Sequence, residues 1–189
     1  MWACGKEKAG TMAAVVGLPD AQVEQICAAV AGVWPANYNC PGQVVVSGTP
    51  ASVEKAGRLA LERGARRVLP LQVSGAFHSP LVAGAAEELA RVLEEVDVGP
   101  PARGRFFSTT EVRYPEPEEV KAVMIRQLTS PVRFTQSLQA LAGDVAVGIE
   151  VGPGGVLAGL AKRVSARLPV YGTDTGSAFE DVLSHISAG

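Results

Sequence analysis

The stretch Leu69-Pro70-Leu71-Gln72-Val73-Ser74-Gly75-Ala76-Phe77-His78-Ser79-Pro80-Leu81 reads as a strand that runs through a tight turn straight into a helix. Leu69, Leu71 and Val73 recur at the strand period of two and predict a buried strand over residues 68–73. Gly75 breaks it. Ser79 then supplies an N-cap hydroxyl and Pro80 a pre-set first helical residue. Behind them Leu81, Val82, Ala85, Ala86, Leu89, Val92, Leu93 and Val96 keep to one helical face. His78 therefore stands at the mouth of a helix, where the partial positive charge of the N-terminus disfavours imidazolium. A neutral imidazole can accept a proton, which is what a general base must do. A histidine just before an N-cap can equally be a structural side chain with its hydrogen bonds satisfied.

Upstream, residues 12–17 form a short apolar strand. Pro19-Asp20 opens a helix whose Val23, Ile26, Cys27 and Val30 fall at i, i+3, i+4 and i+7, and Gly32 closes it. Residues 34–39 and 43–47 read as strands joined through Cys40-Pro41-Gly42, and Thr49-Pro50 caps a helix that runs to Gly64. With the strand at 68–73 the order is β-α-β-β-α-β, the ferredoxin-like arrangement. It predicts a subdomain over residues 10–73 with two helices on one face of a four-stranded antiparallel sheet.

Downstream the pattern changes. The helix after His78 ends near Val98-Gly99-Pro100-Pro101, residues 105–109 read as a strand, and 117–128 and 131–142 as helices. Residues 145–151 form an apolar strand, followed by Gly152-Pro153-Gly154-Gly155 and a helix through Leu157, Leu160 and Val164. A strand at 168–171 precedes a last helix, with Ser177 and Glu180 spaced as a capping box. Strands spaced by helices imply a parallel α/β sheet over residues 74–189. The whole is thus α/β, an α+β part followed by a parallel-sheet part. The glycine-rich turn lacks the Lys-Ser/Thr of a nucleotide loop and reads as a strand-to-helix connection.

At 189 residues with 47% hydrophobic content the chain can bury a sizeable core. A net charge of -2 and only 5% aromatics argue against a nucleic-acid surface. No apolar run approaches membrane-spanning length. Cys4, Cys27 and Cys40 show no C-x-x-C spacing, and their odd number points to a reducing, cytoplasm-like compartment, or an organellar matrix if a presequence is missing. No cluster has metal-ligand spacing. Met1 to Ala9 carries no clear pattern, and His185 lies off the apolar face of the last helix.

Four ordered motifs carry a family resemblance: NYNCPGQVVVSG, GAFHSPL, IRQLTSPVRFTQSL and EVGPGGVLAGL. Together they resemble malonyl-CoA:acyl carrier protein transacylases and the acyltransferase domains of fatty-acid and polyketide synthases, from about Gly10 to about Arg167. The resemblance implies an α/β-hydrolase-like domain carrying a ferredoxin-like insertion. It implies transfer of malonyl from CoA to the phosphopantetheine thiol of acyl carrier protein through an acyl-serine, with malonyl-CoA as substrate and no cofactor. His78 matches the family's base and Gln127 the position whose backbone carbonyl orients it. Independently, Val120, Val123, Met124, Gln127 and Leu128 share one helix face, and Ser130-Pro131 stops that helix. A buried glutamine whose carbonyl is capped by water is the alternative.

Phe77 matches an aromatic that goes with malonyl rather than methylmalonyl selection; it is equally placed to be a hydrophobic staple. Asn37 and Asn39 fall where the family meets the thioester arm, and they are also turn formers. Arg63, Arg66, Arg67, Lys162, Arg163 and Arg167 are candidates to meet an acidic carrier protein, or simply a solvated face. The family's G-H-S-x-G elbow and a carboxylate-binding arginine would lie ahead of Met1, and the sequence contains no G-x-S-x-G. Ser74 and Ser79 flank His78 too closely to replace that serine. The expectation is a truncated form, inactive alone; a non-catalytic remnant or a ferredoxin-like binding module is the competing reading.

Overall fold

The computed structural model of the protein describes residues 10–165 and 167–187, the last three by backbone alone. Cys4, the segment before Gly10 and the side chain of His185 lie outside the described residues. The fold is mixed α/β, in two compact units, Met1–Phe134 and Thr135–Gly189. The boundary expected between residues 73 and 74 falls inside the first of these.

The first unit is built on β1 (Thr11–Val16), α1 (Asp20–Ala29), β2 (Val33–Cys40), β3 (Gln43–Gly48), α2 (Pro50–Glu62) and β4 (Arg67–Pro70). The sheet order is β2-β3-β1-β4, and every pair is antiparallel. Met12 to Val15 are all buried because β1 is central and covered on both faces. On one face Ala13 and Val15 join Val44, Val46 and Tyr38 beneath Val23 and Ile26 of α1 and Val53, Ala56 and Ala60 of α2. On the other, Met12, Ala14, Ala36 and Val45 form a smaller cluster against which Leu71 and Phe77 pack. Each buried valine or isoleucine stabilises the sheet by roughly 1.5–3 kcal/mol. Thr49 caps α2, its hydroxyl accepting from Ser52 N at 3.3 Å. At the end of β3 a Cβ on Gly48 would lie 2.2 Å from the Gly32 carbonyl oxygen, so only glycine fits there.

Three expectations are corrected here. The fourth strand ends at Pro70, after which Val73 N turns back to Leu71 O at 3.0 Å. β4 is an edge strand on which Leu69 is 44% exposed, and Val73, beyond its end, is 36% exposed. Residues 131–133 do not begin a helix. Val132 donates to Ala36 O and accepts from Tyr38 N, both at 2.8 Å, forming a parallel bridge beside Asn37. The register of β2 shifts between Pro35 and Asn37, and Val132 satisfies backbone groups there. Residues 105–109 are not a strand either: Ser108 pairs with Arg113 across a turn whose Val112 has φ 55°.

After β4 a 3₁₀ turn at Pro80–Val82 leads into α3 (Ala83–Glu94), and another at Pro117–Glu119 into α4 (Val120–Arg126). The buried face of α3 is narrower than its sequence suggests: Val82, Ala85 and Leu93 are buried, whereas Val92 is exposed and Val96 lies beyond the helix end. The second unit holds all but the first residue of α5 (Phe134–Leu141), with β5 (Gly148–Glu150), α6 (Val156–Val164), β6 (Val170–Gly172) and α7 (Gly176–Ser187). Among the described residues the parallel sheet has two short strands, β5 and β6, rather than the three expected. Thr175, not Ser177, caps α7, accepting from Ala178 N at 3.2 Å.

Candidate active site

The turn between β4 and α3 is closed by one hydroxyl. Ser79 Oγ donates to the Ala76 carbonyl at 2.6 Å and accepts from Leu81 N at 3.3 Å, and the residue is fully buried. The strand side of the turn is held in place: a Cβ on Gly10 would sit 2.6 Å from Ala76 N, and Phe77 packs on the sheet's second face. His78, the next residue, adopts φ 56°, a left-handed conformation that histidine visits more readily than most side chains. Such a backbone costs on the order of 1–3 kcal/mol and persists where the surroundings fix it.

The His78 ring is half-buried, with Nδ1 3.1 Å from the backbone oxygen of Gln127. A carbonyl can only accept. The contact is therefore a hydrogen bond when Nδ1 carries the proton, and Nε2 is then the bare acceptor. Gln127 is the C-cap of α4, its N bonded to Val123 O at 3.0 Å. The amides of Leu128 and Thr129 turn back to Ile125 and Arg126, and the residue four beyond Gln127 is Pro131, which has no N–H to give its carbonyl.

An ionic lattice holds α4 and was missed in the sequence. Arg113 donates to Glu119 at 2.6 and 3.0 Å and reaches Glu111 at 2.6 Å. Arg126 Nε donates to Glu111 at 2.9 Å. Glu119 also accepts from Glu116 N at 2.9 Å, completing a capping box. The Arg126 hydrogen bond, with help from Arg113, holds the Glu111 carboxyl below its usual range. Arg113 and the Glu116 amide pull Glu119 down to about 2.

His78 opens into a groove of about 200 Å³ walled by Trp34, Pro35, Tyr38, Pro80, Thr129 and Pro131. A separate hollow of about 570 Å³, also walled by Trp34, Pro35 and Tyr38, is lined by Glu24 and Cys27. Tyr38 donates its hydroxyl to Glu24 at 2.8 Å; burial and that carboxylate raise its pKa. Burial, with Glu24 nearby, pushes the Cys27 thiol up to about 12.

Residues 5–168 match the acyl transferase domain family. The chain belongs to that family. It is 43% identical to a malonyl CoA-acyl carrier protein transacylase of Bacillus subtilis over 164 residues, covering 84% of this chain and 52% of that protein. Its fold superposes with TM-score 0.89 and 34% identity on a malonyl-transacylase solved with its type II polyketide acyl-carrier protein, over 93% of this chain and 58% of the other. The malonyl-CoA:acyl carrier protein transacylase of Xanthomonas oryzae gives TM-score 0.89 at 35% identity, over 93% and 57%. The chain thus spans little more than half the length of these relatives.

In this chain the residues singled out from sequence separate. His78 and Gln127 meet. Phe77 is half-buried on the sheet's second face, against Met12, Ala14, Ala36 and Val45, and is not a wall of the His78 groove. Asn37 and Asn39 are half-buried on β2, also outside the groove walls. Arg63, Arg66 and Arg67 are exposed in the first unit, and Lys162, Arg163 and Arg167 in the second. The glycine-rich turn is a strand-to-helix connection: the Glu150 carboxylate already accepts from Leu157 N and Ala158 N at the start of α6. Trp34, Pro35 and Thr129 emerged only with the fold, because nothing in their spacing marks them. Among the described residues no helix is long and apolar enough to cross a membrane.

Proposed function

We propose that the chain is the base-bearing part of a malonyl-CoA:acyl carrier protein transacylase, with His78 as general base and the Gln127 carbonyl as its orienter. The observation that carries this reading is the 3.1 Å approach of His78 Nδ1 to Gln127 O. A proton on Nδ1 leaves Nε2 free to take the proton of a serine hydroxyl as its oxygen attacks the malonyl thioester. The tetrahedral intermediate then collapses, and the sulfur of CoA departs with the proton from Nε2. In the second half the carrier's pantetheine thiol gives its proton to Nε2 and attacks the ester, and the serine recovers a proton as it leaves. The serine is not among the motifs of this sequence, so the reading assigns it, with the carboxylate-binding arginine, to polypeptide beyond the residues given.

The same reading takes β1 to β4 with α1 and α2 as a ferredoxin-like subdomain over residues 10–73, and residues 74–189 as part of an α/β-hydrolase-like domain. The β2-β3-β1-β4 order supports the first and the parallel β5–β6 pair the second. Phe77 shapes acyl choice, Asn37 and Asn39 face the thioester arm, and the exposed arginines and lysine meet the acidic carrier. Cys27 is a buried thiol, in keeping with a reducing, cytoplasm-like compartment.

The test has two arms. The 189-residue chain incubated with malonyl-CoA should show no covalent adduct by intact mass spectrometry; a malonyl ester mapped to one of its serines would overturn the assignment of the nucleophile. In a version extended by an N-terminal segment with the G-H-S-x-G elbow and the arginine, His78→Ala should lower malonyl transfer by about two or more decades. CoA-ester binding should change far less. Turnover near that of the unsubstituted protein would remove His78 from the chemistry.

A further inference from the structure

We propose that Glu111 is a positioning residue for the His78–Gln127 pair, holding the end of α4 where the Gln127 carbonyl can select the imidazole tautomer. This rests on the reading of His78 as an oriented base. α4 has seven residues, too few to hold its own direction as an isolated helix. Its first turn is tied through Glu119 to Arg113, and its last turn through Arg126 to Glu111. Both ties converge on one short turn, closed by the Ser108 N to Arg113 O bond at 2.9 Å and by Glu111 N to Ser108 Oγ at 3.2 Å.

That turn is itself anchored. Arg133 N donates to Thr109 O at 2.8 Å, and the adjoining Val132 is bonded to Ala36 and Tyr38 of β2. Trp34, Pro35 and Tyr38 of the same strand wall the His78 groove. The path from the sheet through Val132, Thr109, Glu111, Arg126 and Gln127 thus returns to the imidazole it began beside. Glu111 is the carboxylate that both arginines reach, and at 18% side-chain exposure it is the least solvated of the four charged groups.

Exposed ion pairs add little to global stability, so the consequence to expect is geometric. A hydrogen bond of 3.1 Å has little room: a shift of the carbonyl by about 1 Å ends it. Without an acceptor at Nδ1 the ring is free to exchange tautomers, and Nε2 no longer stays bare.

The experiment is long-range ¹H–¹⁵N NMR of the histidine rings in the uniformly labelled 189-residue chain. The unsubstituted chain should show His78 as the Nδ1–H tautomer. Glu111→Ala should lose that signature to a mixed tautomer population, and Arg126→Ala, a change at a half-exposed side chain, should do the same. Glu54→Ala, which removes the exposed Arg58–Glu54 pair of α2, should leave it intact. Should Glu111→Ala fail to fold, Arg126→Ala decides. An Nδ1–H signature that survives both substitutions overturns the role of Glu111 while leaving the His78–Gln127 reading in place. Its absence from the unsubstituted chain removes that reading and this inference together.

Discussion

Ser79 gives its hydroxyl hydrogen to the Ala76 carbonyl at 2.6 Å, and that bond shuts the turn on which His78 rides. Ser79→Ala removes this bond and the cap on Leu81 N together, leaving a carbonyl without its buried partner. The expected loss is about 1–2 kcal/mol of stability, read as a lower urea midpoint at unchanged slope. A midpoint indistinguishable from that of the unsubstituted chain would show that the turn closes without the hydroxyl.

Phe77 is expected to matter twice. Phe77→Ser strips a ring from Met12, Ala14, Ala36 and Val45 and should cost roughly 1–3 kcal/mol, part of what a fully buried aromatic loses. In the version extended by the serine elbow it should also raise the methylmalonyl-to-malonyl ratio of kcat/KM, by roughly ten- to a hundred-fold. A stability loss with an unchanged ratio would leave Phe77 a packing residue alone.

The Glu119 carboxyl, lowered to about 2 by Arg113 from an ordinary 4.5, links α4 to pH. A carboxylate whose pKa is depressed by folding adds stability above its unfolded value and loses it as pH falls through the folded one. Between pH 4.5 and 2 the chain should therefore lose stability more steeply than Glu119→Gln does. Parallel urea midpoints across that window would show the ion pairs to be energetically idle.

Cys27 should resist alkylation. Its thiol is buried and pushed up to about 12, so almost no thiolate exists at pH 8. Iodoacetamide labelling mapped by mass spectrometry should reach Cys27 only as fast as the chain unfolds, and urea should accelerate it sharply. Rapid labelling of the folded chain would mean that the hollow between α1 and β2 opens readily.

What could be read from the sequence was what repeats along it. The 3.6-residue spacing of Val23, Ile26, Cys27 and Val30 marked α1, and all four are buried. Ser79-Pro80 marked a helix start with its cap. Gln127 before Ser130-Pro131 marked a helix end with a free carbonyl. Other features depend on partners distant in the chain. Pro131 carries the same signal whether a helix starts there or an extended residue pairs with β2; Ala36 and Tyr38, nearly a hundred residues away, decide it. Leu69 alternates like a core residue but lies on an edge, which only strand order reveals. Glu111 and Arg126 are 15 residues apart, too far for any helical spacing to announce their bond.

The left-handed backbone at residue 78 also restricts how this position can drift. Glycine and asparagine settle into that conformation with the least strain, and neither titrates near neutral pH. Mutation that eases the turn therefore discards the imidazole, while retaining the imidazole keeps the strain. A lineage released from selection on proton transfer should accumulate glycine or asparagine here before the surrounding turn decays. The residue at this one position would then date the loss of chemistry relative to the loss of fold.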